Sequence, residues 1–180
     1  MTEARRRILE RGRKLEPYIV GMAVDKLREQ GHDVELLQRN RRYRDKAHPF
    51  LRAEVDFELR VDGEHVNGEA KSASEFMRSQ WGAEQSDDVP IAYAAQGMHG
   101  LMVTGRGRTC YAAMIGIDDV RLYWLKRDEA TIEGMRSLEI DFWRKHVVPK
   151  VPPAGGAYED LRRLWPKDFF FNDTATTEIA

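Results

Sequence analysis

Residues 54–71 read Glu54-Val55-Asp56-Phe57-Glu58-Leu59-Arg60-Val61-Asp62-Gly63-Glu64-His65-Val66-Asn67-Gly68-Glu69-Ala70-Lys71. Val55, Phe57, Leu59 and Val61 alternate with polar residues, the period-two pattern of a half-buried strand. Asp62-Gly63 is a favoured pair for a two-residue hairpin loop, and a second strand then carries Val66, Gly68 and Ala70. A two-residue loop dictates the register: Val61 faces Glu64, Leu59 faces Val66, Phe57 faces Gly68, Asp56 faces Glu69, and Glu54 faces Lys71. Asp56, Glu69 and Lys71 therefore share the polar face, and Val55, Phe57 and Leu59 form a core face.

Two carboxylates directly opposite each other have Cβ atoms about 5 Å apart and repel. A hard divalent ion such as Mg²⁺ between them removes the conflict, because it prefers carboxylate oxygens and retains waters. Lys71, two residues beyond Glu69 on the same face, is placed to orient a water or to stabilise charge on a phosphate. A solvated hairpin face of mixed charge, with Lys71 and Arg60 offsetting the acids, satisfies the same pattern.

Outward from the hairpin, a helix spans Thr2 to Gln30 and stops at Gly31. Pro17 interrupts it, so the part before Glu16 is expected as a separate or kinked piece. Ile19, Met22, Ala23 and Leu27 mark its buried side, and Val34 to Tyr43 reads as a strand. After the hairpin, Ser72 to Asp88 reads as a loop. Pro90 opens a helix reaching Val103, with Ile91, Ala95, Met98 and Met102 on its buried side. Strands near Thr109–Ile117 and Val120–Leu125 follow, then a helix from Glu129 to His146. Helix, three strands, helix, two strands, helix predicts an α/β (α+β) class with a central mixed sheet flanked by helices.

The chain has 180 residues, 42% hydrophobic and 33% charged, which suits a single domain. That domain is expected over residues 1–168. The final stretch, Phe169 to Ala180, has no periodicity tying it to the rest and resembles translated sequencing-adapter read-through, so it is expected to be a non-native or disordered tail. No apolar run approaches the roughly 18 residues of a membrane span, and the arginines at the start precede no apolar segment of a signal peptide. The single cysteine, Cys110, excludes an internal disulfide and any all-cysteine metal site. It reads as a buried, inert thiol in a reducing cytoplasm. The net charge of −1 is neutral on partners, but basic residues crowd the region up to Lys46, including Arg13, Lys14, Arg41 and Arg42. Such clusters suit phosphates and equally suit a solvated helix face and a polar strand.

His48-Pro49-Phe50-Leu51-Arg52-Ala53-Glu54-Val55-Asp56 followed by Gly68-Glu69-Ala70-Lys71 resembles the catalytic signature of YqaJ-type viral recombinases. These are phage nucleases related to the lambda exonuclease, with a PD-(D/E)XK fold. Gly12-Arg13-Lys14-Leu15-Glu16-Pro17, Val89-Pro90-Ile91-Ala92-Tyr93-Ala94-Ala95-Gln96, Val103-Thr104-Gly105 and the stretch from Arg127 to Trp143 match in order, over about residues 5–166.

The resemblance implies that Asp56, Glu69 and the carbonyl of Ala70 bind Mg²⁺ or Mn²⁺ and that Lys71 is the catalytic lysine. Glu16 would add a helix carboxylate, and Gln96 a polar contact to the water held by the metal or to the scissile phosphate. Val55 stands where the family usually has proline, a position that does no chemistry. The family's usual N-terminal segment ahead of the Glu16 helix is expected to be missing.

The expected function is metal-dependent hydrolysis of DNA phosphodiester bonds in phage recombination. The family implies an exonuclease on double-stranded DNA ends, a homo-oligomer and a single-strand annealing partner. The alternatives are a structure- or site-specific endonuclease of the same fold and a truncated, non-cleaving DNA-binding module.

Overall fold

Glycine and aspartate in left-handed backbone set the first turns of the computed structural model, which describes residues 3–117 and 120–154. Its elements are α1 (Glu3–Glu29), β1 (Val34–Arg44), β2 (Arg52–Val61), β3 (Glu64–Ala73), α2 (Ile91–Thr104), β4 (Arg108–Ile115), β5 (Val120–Lys126) and α3 (Glu129–Phe142). Gly31, at φ 91°, ends α1, with the His32 amide donating to the Leu27 carbonyl at 3.1 Å. Asp62 and Gly63 have φ of 50° and 84°, both positive as a two-residue hairpin turn requires.

The strands form one five-stranded sheet in the order β1-β2-β3-β4-β5. β3 and β4 are parallel and the other neighbours antiparallel, because only the β3–β4 connection carries a crossover helix, α2. The expected α+β class with a mixed, helix-flanked sheet is the observed one.

Two cores lie on the two faces of the sheet. On the α1 side, Ile19, Val20, Ala23 and Leu27 pack on Phe57, Leu59, Val66, Cys110 and Leu122. On the α2 side, Met98, Leu101 and Met102 pack with Trp81, Tyr111, Tyr123 and Ile115. Cys110 is fully buried, and desolvation pushes its thiol up to about 12.

Three local expectations change. α1 runs unbroken through Pro17. The proline forfeits one backbone hydrogen bond, but the next turns are held by the buried Ile19, Val20 and Ala23. The Ser72–Asp88 loop begins only after β3 ends at Ala73, and it holds a 3-10 turn at Glu75–Gln80. On α2, Ile91 is 86% exposed and Ala95 also faces solvent, while Gly97, Met98, Gly100, Leu101 and Met102 are buried. A Cβ at Gly97 would lie 2.0 Å from the Tyr111 hydroxyl. Glycine thus selects the face of α2 that approaches the sheet.

The chain divides into two compact units, Met1–Leu138 and Glu139–Ala180. The described part of the second holds the end of α3 and a π-helical turn, Trp143–Val147, with Lys145 paired to Asp141 at 2.8 Å. The tail at 169–180 lies outside the described residues.

Candidate active site

The β2–β3 ladder runs from Val61 opposite Glu64 to Phe57 opposite Gly68. Gly68 is required there, since a Cβ would lie 2.2 Å from the Phe57 ring. Past this rung the Asp56 carboxylate reaches across to β3, where its Oδ2 accepts the Ala70 amide at 3.0 Å. Asp56 is half-buried and Glu69 is only 4% exposed.

Glu69 Oε2 accepts from Lys71 Nζ at 2.6 Å and from Gln96 Nε2 at 2.8 Å. Lys71 Nζ also donates to Gln96 Oε1 at 3.1 Å and lies 5.2 Å from the centre of the Tyr93 ring. Lys71 is therefore not on a solvated face: its side chain is 13% exposed, because α2 brings Tyr93 and Gln96 over this end of the sheet. Glu16 comes from α1, accepts from Arg39 Nη2 at 3.5 Å, and lies near enough to Asp56 for its charge to be felt there. Asp56, Glu69, Lys71 and Gln96 thus converge from β2, β3 and α2, while Glu16 of α1 stays paired with Arg39 and reaches Asp56 only through its charge.

The electrostatics of this cluster disfavour negative charge on both of its acids. Burial pushes the Glu69 carboxyl up to about 7; Lys71 opposes the rise and Asp56 adds to it. Burial also raises the Asp56 carboxyl, against the pull of Lys71 and the Ala70 amide, with Glu16 and Glu54 contributing. Two close acids in a desolvated site resist joint ionisation, and one lysine cannot neutralise both. Among the described residues no group of three or more His, Cys, Asp or Glu side chains is gathered as a metal cage. Asp56 and Glu69, with the Ala70 carbonyl adjacent in sequence, are the oxygens that could hold a hard divalent cation, a sparse set of the kind Mg²⁺ takes while keeping several waters.

A second polar layer, which the sequence reading passed over, lies directly behind. Glu58 and Asn67, paired across β2 and β3, are 1% and 2% exposed. Arg106, just past α2, donates to Asn67 Oδ1 at 2.6 Å, Glu58 Oε2 at 2.9 Å and the Tyr43 hydroxyl at 2.7 Å. Tyr43 in turn donates to Glu58 Oε1 at 2.5 Å. The signal in the sequence was a glutamate in mid-strand on the face that α2 covers.

The basic residues are dispersed. Arg13 and Lys14 are exposed on α1 beside Glu16. Arg41 pairs with Val55 and Arg42 with Glu54, so these neighbours point to opposite faces of the sheet. Arg41 donates to Gln38, while Arg42 donates to Glu54 Oε2 at 2.8 Å. His99 donates through Nε2 to the Arg52 carbonyl at 2.9 Å, a packing role.

A model of the YqaJ-like viral recombinase domain matches residues 2–107. The chain belongs to the YqaJ-like viral recombinase family. The matched region includes Glu16, the hairpin acids, Lys71, Gln96 and Arg106, and the five-stranded sheet with its flanking helices is consistent with the PD-(D/E)XK-like nuclease core. YqaJ-like recombinases belong to the nucleases of phage-type recombination, which act on DNA. No curated protein matches the chain. Among solved structures it is similar to SSO0001, at 15% identity over 78% of this chain and 69% of that one, with a TM-score of 0.38. No described helix is long and apolar enough to cross a membrane.

Proposed function

We propose that this chain is a metal-dependent deoxyribonuclease whose centre is Asp56, Glu69 and Lys71. The observation that carries the proposal is the meeting of Lys71 and Gln96 on one oxygen of a buried glutamate, beside a second carboxylate that caps the Ala70 amide. Asp56, Glu69 and the Ala70 carbonyl would hold Mg²⁺ or Mn²⁺, which supplies polarisation of the phosphodiester and eases deprotonation of water.

The remaining work falls to the chain's own side chains. Lys71 sets a positive charge where negative charge grows on the phosphate. Gln96 donates to Glu69 and accepts from Lys71, so it holds both in one arrangement, and the Tyr93 ring limits the freedom of the lysine. Glu16 adds negative charge to the Asp56 side of the site, which strengthens the preference for a cation. Arg13, Lys14, Arg41 and Arg42 contribute phosphate contacts. Digestion of double-stranded DNA ends in the cytoplasm of an infected host, as a homo-oligomer and with a single-strand annealing partner, completes the proposal.

Incubation with linear and with covalently closed circular DNA in Mg²⁺ tests it. Loss of linear DNA alone is the expected result. Nicking of circles would make the protein an endonuclease of the same fold, and binding without cleavage would overturn the nuclease reading.

A further inference from the structure

At the open end of the β1–β2 ladder, two arginines face each other. Arg44 pairs directly with Arg52, an arrangement in which Cβ atoms lie about 5 Å apart and like charges destabilise the sheet. Both side chains are exposed. Among the described residues neither has an ion-pair partner: Arg52 Nε reaches only the Pro49 carbonyl at 3.3 Å, and Arg44 makes no polar side-chain contact.

The nearby acids are engaged elsewhere. Asp45, the next residue after Arg44, is buried and held by Arg136 at 2.7 Å and by the amides of Ala47 and His48. Glu54 is paired with Arg42 at 2.8 Å. An open groove of about 530 Å³ lies here, lined by Arg42, Tyr43, Arg44, Arg52, Ala53 and Glu54. Three arginines against one glutamate leave it strongly positive.

The groove is aligned with the candidate active site. Arg52 lies four residues before Asp56 on β2, about 13 Å away at the usual strand rise. His99 of α2, one turn beyond Gln96, is bonded to the Arg52 carbonyl. The helix that covers the acids therefore also borders the arginines.

We infer that the Arg44–Arg52 groove is a phosphate track, which binds the DNA backbone a few nucleotides from the bond held at Asp56 and Glu69. This rests on the nuclease reading for the identity of its ligand. In the free protein the two exposed arginines are screened by water and salt, and in the complex bound phosphates would neutralise them. Bidentate guanidinium–phosphate pairing suits arginine better than lysine here.

The test is fluorescence anisotropy of a labelled duplex with the full chain, without divalent metal so that no strand is cut, at a series of salt concentrations. The variants are Arg44→Gln/Arg52→Gln and, separately, Lys71→Met. The groove variant should bind more weakly, with the log–log salt slope reduced by about two, one for each lost phosphate contact. Its melting temperature without DNA should be unchanged or higher, since a repulsion has been removed. Lys71→Met should lose no more than about one unit of the salt slope and should lose cleavage when Mg²⁺ is restored.

An unchanged affinity and slope in the groove variant would overturn the phosphate track while leaving the nuclease reading intact. A lowered melting temperature would show that the arginines are structural and overturn it likewise. Wild-type protein that neither binds nor cuts DNA would remove both.

Discussion

Lys71 Nζ stands 2.6 Å from Glu69 Oε2, two residues along the same strand, and both side chains are covered by α2. A lysine and a glutamate so placed on a buried sheet face form more than a surface pair, since Gln96 ties them together and Asp56 brings a second acid alongside.

Metal should stabilise the protein, and more so at higher pH. The Glu69 carboxyl is raised to about 7, above its unfolded value. In the metal-free protein, the stability tied to its protonated form is complete below the unfolded value of about 4.3 and is lost as pH rises through 7. A divalent cation displaces that proton and neutralises both acids. Millimolar Mg²⁺ or Mn²⁺ should therefore raise the melting temperature, with a larger rise at pH 8 than at pH 6. A shift absent at both pH values would count against a metal site at Asp56 and Glu69.

Gly68→Ala should destabilise the fold. The new methyl would meet the Phe57 ring in a fully buried core, where overpacking costs about 1–3 kcal/mol. Chemical denaturation measures this directly. A neutral effect would mean that the ring at Phe57 moves aside freely.

The register of this hairpin was legible because Asp62-Gly63 admits few turn geometries, and the pairing of Phe57 with Gly68 and Leu59 with Val66 is found as expected. The paired ladder stops at Phe57, so Asp56 meets β3 through its carboxylate on the Ala70 amide and not through a backbone rung. Alternation could not reveal this, because β3 continues in parallel pairing with β4 up to Ala73 opposite Ile115.

Alternation also says which face a residue takes and nothing of what covers it. Glu58 and Lys71 therefore read as solvent-facing when α2 in fact lies over them. The place of Ile91 was misread for a related reason. Spacing matched a helical stripe, but Gly97 and Gly100 determine which side of α2 approaches the sheet. Gln96 and Glu16 entered only through the family resemblance, for no local pattern marks a helix residue as part of a distant site.

The Glu58–Arg106 pair should prove costly to break. With side-chain exposures of 2% and 10%, Arg106→Met leaves Glu58 buried without its main cation, and losing one partner of a buried pair costs about 3–5 kcal/mol. Burial alone would raise the Glu58 carboxyl, but the Tyr43 hydroxyl and Arg106 outweigh it and hold the group below its ordinary range. The associated stability is present above about pH 4.3 and is lost as pH falls through the lower, folded value. Glu58→Gln should accordingly flatten the acid limb of a melting-temperature profile. An acid limb identical to wild type would show that Glu58 does not govern it.

Cleavage of linear DNA by Lys71→Met and Glu69→Gln, measured beside Mg²⁺-binding calorimetry of the same samples, separates the role of the lysine from that of the metal-binding acids. Lys71→Met replaces a largely buried side chain by one of similar length, and Glu69, whose carboxyl is already raised to about 7, can take a proton when its cation is lost, so the fold and the two carboxylates should persist. Cleavage should fall on the order of a hundred- to a thousand-fold or more while Mg²⁺ still binds. Glu69→Gln should lose Mg²⁺ binding and cleavage together. Cleavage by Lys71→Met at the wild-type rate would contradict the assignment of this cluster as the catalytic centre.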